Sequence, residues 1–190
     1  MATQTGQRMT AQAYFATDER HFTQLIDGEV IVTEATGRHQ LLAKRILFAF
    51  CTWTRAAPGR GEAFIPINVR MDEHNVFGPD ISYLSESELP SAADWLYIDR
   101  PPSITVEVRS PSTWRYDIGT KKANYERQGC PELWLVDGEA DTVLVFRRSA
   151  RGAPAFDVAL ELSRREELSS PQLPGFSLAL EALFAPLRPA

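Results

Sequence analysis

Residues Ile104 to Gly129 read ITVEVRSPSTWRYDIGTKKANYERQG, and the folding of this stretch sets the architecture of the chain. Ile104, Val106 and Val108 alternate with Thr105, Glu107 and Arg109, the period-two pattern of a β-strand. Ser110-Pro-Ser-Thr then breaks the strand and supplies capping side chains for a helix over Arg115–Gln128. Gly129-Cys130-Pro131 stops that helix, with glycine at the left-handed position and proline just beyond it. Glu132–Val136 follows as a strand at once. A strand–helix–strand unit of this length implies one parallel pair, here inside an otherwise antiparallel sheet.

Glu107 is the anomaly in this pattern. If the Thr105/Glu107/Arg109 face meets solvent, the glutamate is ordinary and can pair with Arg109. If a helix covers that face, as in most strand–helix–strand units, the carboxylate needs a cation or hydrogen-bond donors. Asp117, Lys121 and Tyr125 recur at four-residue spacing and share one helix face. Taken alone, the acid and the lysine read as a surface ion pair worth a few tenths of a kcal/mol, about 0.3.

Outward from this unit, the chain reads as one domain of α+β class, a mixed sheet with helices packed on it, over residues 1–190. Loose ends are expected at about 1–8 and 186–190. A short helix is expected over Thr10–Asp18, and Asp27-Gly28 reads as a hairpin turn. Gly37–Arg55 carries Leu42, Ile46, Ala49, Phe50 and Trp53 at helical spacing and ends at APGRG. Ala63–Met71 and Val76–Leu84 read as strands around the turn Asp72–Asn75, and Ser85–Asp94 as a polar connection. Thr142–Arg148 and Ala155–Leu162 are further strands, and a short helix near Leu180–Phe184 closes the domain.

The composition, 44% hydrophobic and 24% charged, is that of a globular protein. A net charge of −5 argues against non-specific coating of nucleic acid, though not against an acidic site that binds cations. Cys51 and Cys130 make neither a disulfide framework nor a metal-ligand pattern. No secretory signal and no span-length apolar run is visible, so a cytoplasmic location away from membranes is expected. There is no glycine-rich phosphate loop, and no Gly-x-Ser-x-Gly elbow surrounds Ser110 or Ser112. Arginine outnumbers lysine 17 to 3, which draws attention to Lys44, Lys121 and Lys122.

Asp80, following Gly78-Pro79, reads on its own as a turn aspartate. Together with Glu107 and Lys121 it suggests more. Two carboxylates on successive strands and a lysine on the next helix can converge at one end of a sheet. Paired carboxylates suit Mg²⁺, with Mn²⁺ able to substitute, and a lysine can steady charge near an attacking water.

The segment GPD…ITVEVRSPSTWRYDIGTKKANYERQGCPELWLVD resembles the Uma2 family, a branch of the PD-(D/E)xK nuclease superfamily. LIDGEVIVTEA, GRHQ and LPGFSLALEALF extend the resemblance over most of the chain. It implies a restriction-endonuclease-like fold and a Mg²⁺-dependent endonuclease acting on DNA. It also implies a homodimer, because two sites are needed to cut a duplex. Asp80 matches the aspartate of the PD motif and Glu107 the acidic member of the ExK motif. Both are the implied metal ligands. Arg109 stands where the wider superfamily has its lysine, and Lys121 is the implied replacement, with Asp80 and Glu107 completing the catalytic set. Glu29 and His39 match further family positions and are possible additional members, as is Arg109. The alternative is an inactive nuclease-fold protein serving as an interaction or nucleic-acid-binding module.

Overall fold

In the computed structural model of this protein, residues 8–18, 22–91 and 95–187 are described. The chain opens with α1 (Ala11–Phe15), the hairpin β1 (Thr23–Ile26) and β2 (Glu29–Val32), and the long α2 (Gly37–Arg55). It continues through β3 (Glu62–Phe64), β4 (Asn68–Asp72), β5 (Asn75–Phe77), β6 (Ile81–Leu84), β7 (Tyr97–Ile98) and β8 (Ile104–Val108). Next come α3 (Trp114–Tyr116), a π turn (Asp117–Lys121) and α4 (Lys122–Arg127). The remaining elements are β9 (Glu132–Asp137), β10 (Thr142–Arg147), β11 (Val158–Ser163), β12 (Glu167–Leu168), β13 (Leu178–Ala179) and α5 (Leu180–Leu183).

Two prolines divide the strands between sheets. The expected strand Ala63–Met71 is broken at Pro66 into β3 and β4, and Val76–Leu84 is broken at Pro79 into β5 and β6. Proline offers no N–H to a ladder, so it stands where a strand ends or bends. On one side of each break the strand joins a five-stranded sheet ordered β2-β1-β5-β4-β7. On the other it joins a six-stranded sheet ordered β11-β10-β9-β8-β6-β3. The single mixed sheet expected from sequence is therefore two principal sheets, plus the small β12–β13 pair. In the six-stranded sheet β8–β9 is the parallel pair, as the strand–helix–strand reading required, and the other pairings are antiparallel. A second parallel pair, β4–β7, lies in the other sheet.

Both faces of the six-stranded sheet are covered. Ile104, Val106, Val108, Trp134 and Val136 pack on Leu42, Ile46 and Phe50 of α2 and on Leu180 and Leu183 of α5. Leu133 and Leu135 turn the other way, into a second core with Tyr125, Phe77, Val69 and Ile26. Glu107 points to this second side and is buried, so the solvent-facing alternative is excluded.

Local signals hold well. Thr36 caps α2 by accepting from His39 N at 3.2 Å. At the end of α4, Cys130 N donates to Tyr125 O and Gly129 N to Glu126 O, a full Schellman stop with Gly129 at φ +82°. Several elements are shorter than expected: α1 ends at Phe15, β11 begins at Val158, and the closing helix covers only Leu180–Leu183. Glu86–Glu88 forms a 3₁₀ turn closed by a Ser85/Glu88 capping box, where the sequence read as irregular. Residues 92–94 of that connection, and 1–7 and 188–190 of the expected loose ends, lie outside the described residues.

Candidate active site

The step at Pro79 leaves Asp80 just ahead of β6, and Glu107 sits near the end of β8. Continuing the β6–β8 register one step past the Ile81–Val106 pair sets Asp80 across from Glu107. Residues directly opposite on antiparallel strands place their side chains on one face. Both residues line a cleft of about 480 Å³ that opens where the two sheets part. Gln24 and Asn68 approach from the five-stranded sheet, and Ser110 and Thr113 from the break after β8.

Each carboxylate has one oxygen held by donors and one left over. Asp80 Oδ2 accepts from Val108 N at 2.7 Å and lies 3.1 Å from His39 Nε2. Glu107 Oε1 accepts from Tyr125 Oη at 2.7 Å and meets Lys121 Nζ at 2.7 Å. Asp80 Oδ1 and Glu107 Oε2 have no partner among the described residues.

Lys121 has no exposed surface, and its ammonium also meets Asp117 Oδ1 at 2.9 Å. The surface ion pair read from spacing alone is thus a buried triad, Asp117–Lys121–Glu107. The local reason is the π turn. In a regular α-helix each four-residue step over-rotates by about 40°, so Asp117 and Tyr125 would drift apart around the axis. The wider turn over Asp117–Lys121 takes up part of that drift and keeps Asp117, Lys121 and Tyr125 facing the strand. The expected continuous helix over Arg115–Gln128 is interrupted at this point.

The charge balance inside is uneven. Burial opposes a charged Lys121, but Asp117 and Glu107 together hold its pKa well above the ordinary lysine value. Burial pushes the Glu107 carboxyl upward, Lys121 opposes this, and Asp117 and Asp80 add to it. The two directions fit one picture: a firmly charged ammonium serves two carboxylates, and the shortfall falls on Glu107. His39 is raised too: burial pulls it down, but the hydrogen bond and charge of Asp80 outweigh that pull.

A relay links the triad to the cleft wall. Thr113 Oγ1 donates to Asp117 Oδ2 at 3.0 Å and lies 2.8 Å from Ser110 Oγ. The Ser110-Pro-Ser-Thr113 break reads in sequence as turn and cap residues; the bond from Thr113 to the buried Asp117 has no local signal, because Asp117 reads there as a surface residue. Gln24 and Asn68 were missed for a different reason, since a second sheet brings them to the cleft.

Asp80, Glu107, Lys121 and His39 are brought together. Arg109 and Glu29 are not. Arg109 binds Asp137 and Glu139, both at 2.8 Å, and lies over the Trp114 ring. Residue 109 thereby ties β8 to the β9–β10 turn and supplies no cation to the cleft. Glu29 is exposed at the start of β2 and lines no part of the cleft. Lys122 sits over the Phe146 ring, 4.4 Å from its centre.

The donor set suits a small hard cation. Among the described residues no group of three His, Cys, Asp or Glu side chains is gathered as a metal cage. Two free carboxylate oxygens on one cleft are what Mg²⁺ commonly takes from a protein, with water and phosphate completing the shell.

The sequence model of the Uma2 family, described as "Putative restriction endonuclease", matches residues 9–181. Among solved structures the chain is similar to "a putative nuclease belonging to DUF820" from Anabaena variabilis. The TM-score is 0.79 at 18% identity, covering 93% of this chain and 98% of that one, which shows a shared fold. No curated protein matches the chain.

Proposed function

The chain belongs to the Uma2 family, and from that premise we propose that it is a metal-dependent endonuclease hydrolysing phosphodiester bonds of DNA. The observation that carries this reading is a pair of oxygens, Asp80 Oδ1 and Glu107 Oε2, without a partner among the described residues and on side chains lining one cleft. These oxygens would hold Mg²⁺ or Mn²⁺. When bound, such an ion lowers the pKa of its water and offsets charge on the phosphate.

The protein's own groups orient the two ligands. Val108 N and His39 Nε2 fix one oxygen of Asp80, so the other is turned free. Tyr125 Oη and Lys121 Nζ do the same for Glu107. The Lys121 ammonium, fully buried between Glu107 and Asp117, acts on the cleft through Glu107, whose oxygen it holds. A homodimer, which the family resemblance implies, forms part of the proposal, to be checked by light scattering with and without DNA.

A second reading, a non-catalytic module on the same fold, is favoured by one observation. Lys121 is fully buried and already shared between two carboxylates. Calorimetric titration with Mn²⁺, alongside cleavage of plasmid and oligonucleotide DNA, separates the two. Wild type should bind and cut, while Asp80→Asn and Glu107→Gln should do neither. Metal binding without cleavage of any nucleic acid selects the second reading, and no binding at all removes the metal site.

A further inference from the structure

A smaller groove of about 240 Å³ opens on the other side of Asp80. His39, Gln40, Pro66 and Asp80 line both spaces and so form the wall between them. The smaller groove runs down α2 past Ala43, Lys44 and Leu47, with Ile65 among its lining residues. Gln40 and Lys44, four residues apart, share one face of that helix.

The two compartments differ in chemistry. Among the described residues, no lysine or arginine lines the larger cleft, whose polar groups are amides, hydroxyls, acids and the His39 imidazole. The smaller groove shares His39 and adds one lysine, Lys44, beside Ala43, Leu47 and Ile65. Lys44 is exposed and takes part in no ion pair among the described residues. Ile65 is 64% exposed, a large apolar side chain with its surface left open beside that charge.

A linear polyanion with its reacting phosphate at Asp80 would cross this wall and continue into the smaller groove. We propose that this groove is the subsite for the nucleotide next to the scissile bond of a single, unpaired strand. Lys44 takes its phosphate, and Ile65 with Leu47 lies against its base. The subsite deepens the nuclease reading and rests on it. An unpaired strand is favoured on two grounds. A base lays its face against an apolar side chain only when it has left its stack. Proteins that hold a duplex by its backbone use about six to ten phosphate contacts, whereas these compartments offer one described lysine or arginine.

The test is steady-state cleavage of a short labelled strand and of its duplex in Mn²⁺, across a series of salt concentrations. Wild type should prefer the single strand. Lys44→Ala should raise KM about tenfold at unchanged kcat and flatten the salt dependence by about 0.7 in log–log slope. Lys44→Arg should keep the wild-type KM, and Ile65→Ala should raise KM without altering the slope. A preference for the duplex, or a Lys44→Ala enzyme with wild-type KM and slope, overturns the subsite and leaves the nuclease reading standing. A wild type that binds Mn²⁺ and cuts nothing removes both.

Discussion

Lys121 Nζ stands 2.7 Å from Glu107 Oε1, joining the buried strand β8 to the helix that follows it. The positive charge that faces Glu107 comes from the element after the strand, while Arg109, two residues along from Glu107, binds Asp137 and Glu139.

Lys121→Met removes the only ammonium between two buried carboxylates. Leaving a buried charge without its partner costs about 3–5 kcal/mol. Urea denaturation should show a loss of that size. Adding Glu107→Gln to Lys121→Met should recover part of it. A double variant no more stable than the single one would mean that Glu107 is not the group left uncompensated.

Tyr125→Phe deletes the second donor to Glu107 Oε1 without changing the ring that packs on Phe77. A hydrogen bond to a charged acceptor is worth about 1.5–3 kcal/mol, and stability should fall by about that much. Calorimetry should also show weaker Mn²⁺ binding, because Glu107 is no longer held in one orientation. Unchanged affinity would reduce Tyr125 to a packing residue.

The raised pKa of His39 has a definite sign in the metal-free protein. A base raised on folding contributes stability that is complete below its unfolded value, about 6.5. That contribution is lost as pH rises through the higher folded value. Imidazole resonances should titrate above the ordinary value in wild type, and lower in Asp80→Asn. His39→Gln should flatten the stability profile over that window. A His39 that titrates identically with and without the Asp80 carboxylate would show that their contact is not a charge interaction.

Burial pushes the Cys130 thiol up to about 12, with Thr105 and the Glu132 backbone opposing it. Its thiolate fraction therefore stays negligible up to about pH 10. Iodoacetamide at pH 8.5 should modify the half-buried Cys51 and spare Cys130 until denaturant is added. Mass spectrometry of the native protein checks this, and rapid double labelling would contradict the packing around β9.

Which parts of this were legible in the sequence follows from range. The Schellman stop at Gly129 and the parallel β8–β9 pair depend on neighbours within a few turns of chain, and the sequence states them. The two-sheet division was not legible. Pro66 and Pro79 mark strand breaks, but no local rule says that a strand changes sheets at a break. The burial of Glu107 was an open alternative for the same reason, since it depends on Tyr125 and the second core covering that face. Asp80 and Glu107 were placed by resemblance. Their geometry came from a register that only the folded strands define.

The π turn at Asp117–Lys121 has a consequence for how this chain tolerates change in length. It is one residue wider than the α-helix on either side, and Gly119 at its centre has open space where a side chain would begin. Shortening the segment by one residue there would restore a regular helix and rotate Asp117 relative to Lys121 and Tyr125. Substituting Gly119 would leave the helix phase untouched. The spacing of this helix is under tighter constraint than the identity of the residue at its middle.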